Sequence, residues 1–132
     1  MRSTFTALWL LGTTSCVNPC GNEVVETVPS PTQKWSAVVF VRDCGATTGF
    51  STQLSILRAR ENLPNESGNV LVLGDGSGWV TTGATLDKTI RVVWRSDASL
   101  ELKVPMHSDV RFFSKTHEGV RVEFEEYDKE DR

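Results

Sequence analysis

Few residues in this 132-residue chain have the chemistry of a reactive site, and they are scattered. Three cysteines stand at Cys16, Cys20 and Cys44, and two histidines at His107 and His117. Two histidines exclude a multi-histidine metal centre. The spacing Cys16-x-x-x-Cys20 with a distant Cys44 fits poorly with the ligand spacings of structural zinc sites. Cys44 as a nucleophile needs a general base, and neither histidine is near it in sequence. His107, Ser108 and Asp109 are the residue types of a hydrolytic triad. They lie side by side, however, with no glycine-flanked nucleophile elbow to present a serine. Gly74–Asp75–Gly76–Ser77–Gly78 lacks the Lys-Ser/Thr ending of a phosphate-binding loop and the alternating acids of a calcium loop. No catalytic residues, metal or cofactor are assigned.

Charge narrows the partners. The formal net charge is −3, and no basic cluster offers a face to nucleic acid. An apolar share of 39% and a charged share of 23% suit one globular domain and are too apolar for a disordered chain.

The N-terminus carries the strongest localisation signal. Arg2 supplies one positive charge, residues 5–11 (FTALWLL) are apolar, residues 12–15 are small, and Cys16 follows. That is the arrangement of a secretory signal peptide, too short for a permanent span. Residues 11–16 also resemble the lipobox of bacterial lipoproteins, with Thr13 where that family usually has leucine. The resemblance implies cleavage before Cys16, a diacylglycerol on its thiol, and a protein held on a membrane of the cell envelope, facing periplasm or exterior. The plainer alternative is an ordinary signal peptide cut nearby, with Cys16 free or disulfide-bonded. If Cys16 carries lipid, Cys20 and Cys44 remain as a pair in an oxidising compartment, and a disulfide between them is expected. Such a bond pins the start of the domain beside the central hairpin.

The remaining candidates are a turn and an aromatic. Residues 42–53 read as strand, tight turn and second strand, with Arg42 and Asp43 flanking a loop that holds Thr47 and Thr48. Glycines there give backbone access and hydroxyls give hydrogen bonds, so the loop is a possible ligand or partner site; turn chemistry alone accounts for the same composition. Arg42 and Asp43 are expected to pair with each other near the turn. Trp79, among glycines, is the tryptophan expected to be exposed and to touch a partner, whereas Trp35 and Trp94 are expected to pack in the core or at an edge.

The elements that must position these residues have a period of two. Val24, Glu26 and Val28 share one face. Trp35, Ala37, Val39 and Val41 share a face with Val38 and Phe40 opposite, which predicts a central strand covered on both sides. Phe50, Thr52, Leu54 and Ile56 alternate with polar residues and predict a strand buried on one side. Residues 58–69 read as a polar connection. Ile90, Val92 and Trp94 turn at residues 96–98 into Leu100, Leu102 and Val104, and residues 110–113 and 120–124 predict a last hairpin.

No helical stripe appears. The expected fold is all-β, an antiparallel meander forming a small sandwich or a partly closed barrel. The expected organisation is a signal peptide over 1–15, a tether over 16–23, a β domain over 24–126 and an acidic tail over 127–132.

Residues 30–35 (SPTQKW) and the apolar strand after them resemble the opening of a propeller blade, with Thr32–Gln33 where the blade has Asp-Gly. A propeller needs several blades, so the resemblance implies a blade-like sheet only. Residues 42–50 (RDCGATTGF) resemble a segment of small, uncharacterised bacterial lipoproteins, a likeness that implies envelope location and no activity. The leading expectation is a non-catalytic binding or interaction module, with the membrane, an envelope protein or a cell-wall component as partner. A small periplasmic hydrolase or lysozyme-type inhibitor is the alternative.

Overall fold

A computed structural model describes residues 19–45, 49–74 and 90–128. In chain order the described strands are β1 (Gly21–Pro29), β2 (Trp35–Asp43), β3 (Phe50–Arg58), β4 (Leu71–Leu73), β5 (Arg91–Ser96), β6 (Ser99–Pro105), β7 (Val110–Phe113), β8 (Thr116–His117) and β9 (Val120–Tyr127). One sheet has the order β1-β2-β3-β4-β7, and the second β5-β6-β9-β8. The two stack as an all-β sandwich, and neither closes into a barrel. Their inner faces meet in one core built from Ala37, Val39, Leu54, Ile56 and Leu71 on one side and Leu100, Leu102, Val104, Val120 and Val122 on the other.

The central hairpin is as the alternation predicts. β2 pairs β3 from Trp35↔Arg58 to Asp43↔Phe50 without a break. Trp35, Ala37 and Val39 enter the main core, while Val38 and Phe40 enter a second cluster on the sheet's outer face.

β3 departs from expectation, because Gln53, Leu54, Ser55, Ile56 and Leu57 are all buried. The connection over 59–70 is not a solvated loop but a cover for the outer face. Leu63 packs on the second cluster. The polar residues of β3 bind the cover: Gln53 Oε1 accepts the Gly68 amide at 2.7 Å, and Ser55 Oγ accepts that of Asn69 at 3.1 Å. The Asn69 side chain accepts the Ile56 N–H at 2.8 Å and donates to the Ile56 carbonyl at 2.9 Å, standing in for a neighbouring strand. Buried polar groups are tolerated only with such partners. Polar alternation therefore signalled a covered face here, not an exposed one.

Two other expectations change. Val24, Glu26 and Val28 do not share a face, because a bulge between Val24 and Glu26 shifts the register, exposing Val24 and turning Val25 onto the core. The last hairpin is also replaced. β7 joins β4 at the edge of the first sheet, with Leu71↔Phe113, and β9 lies in the second sheet, parallel to β6. Both segments alternate because both face one core, and Phe113 and Phe124 still meet across the sandwich with ring centroids 5.1 Å apart. The short hairpin that does form is β8–β9, around residues 118–119.

Candidate functional site

Every expected site residue that lies in the described part gathers at one end of the sandwich. Cys20 and Cys44 are joined, S–S 2.01 Å, where β1 begins and β2 ends. The bond follows from the ladder, which pairs Gly21 with Asp43 and brings the flanking cysteines together. β1 accordingly starts three residues before the alternation alone suggested.

Arg42 and Asp43 do not serve each other. Neighbouring strand residues point to opposite faces. Arg42 is buried and donates through Nη1 to Asn22 Oδ1 at 2.8 Å and Asn65 Oδ1 at 3.0 Å. Those two asparagines hold the chain around them: Asn22 Nδ2 donates to the Pro64 and Glu66 carbonyls, and Asn65 Nδ2 to that of Cys20. A guanidinium with several donors thus ties the start of β1, the end of β2 and the covering segment into one polar clamp. Asp43 Oδ1 accepts the Gly45 amide at 2.9 Å, closing the turn, and Gly45 and Gly49 take φ of 108° and 67°, which favour glycine. Asp43 thus serves the backbone of the turn itself. Thr47, Thr48, Trp79 and Cys16 lie outside the described residues.

A cleft of about 170 Å³ beside the disulfide is lined by Arg42, Cys44, Phe50, Gln53, Val72 and Arg111. Arg42 and Gln53, its buried polar lining, already hold partners. The triad residue types do not converge. The Ser108 hydroxyl donates to the Pro105 carbonyl at 2.6 Å, the Asp109 carboxylate accepts Arg111 Nε at 3.0 Å, and His107 sits in the turn after β6 with φ of 67°. Among the described residues, no group of three His, Cys, Asp or Glu side chains is placed to hold a metal ion.

The opposite end holds a wider groove that the sequence did not single out. It measures about 500 Å³, and Arg58, Arg60, Glu61, Asn69, His117 and Glu118 line its polar part. Arg60 and Glu118 occupy left-handed turn positions, φ 69° and 45°, which cost a side-chain-bearing residue energy. Beside it, Lys34 Nζ and the Arg58 guanidinium lie over the buried Trp35 ring at 5.4 Å and 5.6 Å. Glu61 is committed to the Arg58 amide and Asn69 to Ile56. The turn residues that form the groove are far apart in sequence, so no local pattern announced it.

The shifted titrations fall on the second sheet. The Thr32 hydroxyl and amide hold the Asp97 carboxyl below its ordinary value. Arg95 does the same for Glu101, and Glu125 raises Lys103. All three are half-buried and mark links between strands or turns. No protein-family model, curated protein or solved structure matches the chain.

Proposed function

We propose that this chain is an exported bacterial envelope protein, anchored by lipid on Cys16, whose β domain binds an envelope protein or cell-wall component without turning it over. The observation that carries the reading is the Cys20–Cys44 bond immediately after a secretory-type leader. Disulfides persist in oxidising compartments. With two of the three cysteines joined, the remaining sulfur is the one that directly follows the small residues 12–15. Acyl chains there retain the protein at a membrane, provided more than one is attached, since one chain alone binds marginally.

The groove lined by Arg60, His117 and Glu118 is the surface assigned to the partner, because its polar side chains come from loops held on a rigid sandwich. Fractionation of cells expressing Cys16→Ser tests the anchor. The wild-type protein is expected in membranes with an acyl-bearing mature mass, and the variant in the soluble fraction. Equal membrane retention of the two overturns the reading.

A further inference from the structure

The sandwich has two chemically different ends. Register places Asp43 and Phe50 level with the disulfide, and Trp35 and Arg58 at the other end of the same two strands. Nine residues of extended strand separate these rows by about 27 Å. β6 and β9 both run toward the disulfide end, since the Asp97 turn that precedes β6 bonds to Thr32 at the far end. The disulfide end therefore also carries residues 106–109 and Tyr127.

Among the described residues, six large hydrophobics are exposed; Val24, Val93 and Phe112 lie along the strands, and the other three sit nearer one end. Phe50 (37% exposed), Met106 (47%) and Val110 (38%) lie at or next to the disulfide end, and among the described residues no large exposed hydrophobic lies in a far-end turn. The far-end turns are polar: residues 31–34, 59–60, 97–98 and 118–119.

We propose that the disulfide end, with Phe50 and Met106, is a docking surface for the lipid bilayer, leaving the Arg60–His117 groove directed away from it. The inference rests on lipidation of Cys16 and adds an orientation to it. Three residues separate Cys16 from Cys20, and the four extended steps between them reach about 14 Å. The disulfide fixes the end of this leash to the sheet at Cys44. The leash is about half the length of the strands, so Cys20 stays close to the acyl chains while the far end stands about 27 Å further along the strands. Electrostatics does not supply the attraction. The C-terminal stretch Glu125–Glu126 and Asp43 lie toward the same end, and anionic lipid repels them. The contact is therefore expected to survive high salt.

The test uses the full lipidated chain in vesicles. With Cys16 acylated and the disulfide intact, one added cysteine is the only free thiol and takes a nitroxide. Met106→Cys and Glu23→Cys report on the disulfide end, and Arg60→Cys and Ala98→Cys on the far end. On reconstitution the first pair should lose access to a water-soluble nickel chelate and gain access to dissolved oxygen, while the second pair stays unchanged, in low and high salt alike. Loss of access at both ends, or at neither, in protein that floats with the vesicles overturns the orientation. Protein that does not float, or that lacks the acyl mass, overturns the anchor instead, so the two failures are distinguishable.

Discussion

At the scale of single residues, conformation limits what the turns accept. Gln33 closes the β1–β2 turn with its amide on the Ser30 carbonyl and has φ of 61°. A left-handed backbone costs a side-chain-bearing residue about 1–2 kcal/mol, and glycine returns part of that gain as unfolded-state entropy. Gln33→Gly is expected to stabilise the fold by about 0.5–1 kcal/mol, read as a higher urea midpoint at unchanged slope. Gly68 is the opposite case. A Cβ there would stand 2.6 Å from the Leu71 carbonyl oxygen and 2.8 Å from that of Leu54, both backbone atoms that cannot swing aside. Gly68→Ala is expected to cost about 1–3 kcal/mol, the range for overpacking, through a displaced cover. Unchanged stability in that variant would show that the segment over 59–70 does not seat on β3.

Between elements, the two sheets are joined at the far end by polar contacts as well as by the core. Trp94 Nε1 donates to the Val28 carbonyl at 2.9 Å, and the Asp97 carboxylate accepts both the Thr32 amide and its hydroxyl. Because Thr32 lowers the Asp97 carboxyl in the folded state, its contribution is complete above the ordinary carboxyl value of 3.8 and is lost as pH falls through the lower folded value. The stability gap between wild type and Asp97→Asn should therefore be largest near neutral pH and narrow below about pH 4. A gap constant across that range would mean that the carboxylate charge plays no part. Along the second sheet, Arg95, Glu101, Lys103 and Glu125 alternate in sign across three strands, with Glu101 Oε2 2.7 Å from Arg95 Nη2 and Glu125 Oε2 3.0 Å from Lys103 Nζ. Glu101 at the centre is half-buried while Arg95 and Glu125 at the ends are exposed, and pairs with so open a partner stabilise little.

At the scale of the whole molecule, the disulfide is, among the described residues, the one covalent link between residues distant in sequence. It closes a loop of 24 residues' separation, which corresponds to about 3.5 kcal/mol of lost unfolded-state entropy. Cys20→Ser/Cys44→Ser is expected to lose stability on that order, with the larger effect on the polar clamp that Cys20 shares with Asn65. Thermal unfolding of the double variant beside the oxidised wild type measures it, and equal midpoints would assign the stability to the core alone. If Cys16 is lipidated as proposed, the same bond also sets the length of the tether, since without it the tether lengthens by however much of β1 detaches.

The sequence by itself determined the class of fold, the central hairpin, the 20–44 pairing expected from a lipidated Cys16, and the burial of both faces of β2. These are local: they follow from a period of two, from turn residues, and from a cysteine count. Other features came only with the tertiary structure. Residues 58–69 read as a polar connection, yet their polarity is spent on β3: Gln53 accepts the Gly68 amide, Ser55 that of Asn69, and the Asn69 side chain binds the Ile56 backbone. Residues 110–113 and 120–124 read as a hairpin because both alternate, yet alternation reports which side faces a core and not which strand lies alongside. The groove at Arg60 and His117 joins turns nearly sixty residues apart, and a pattern confined to one segment carries no information about which other segment will meet it.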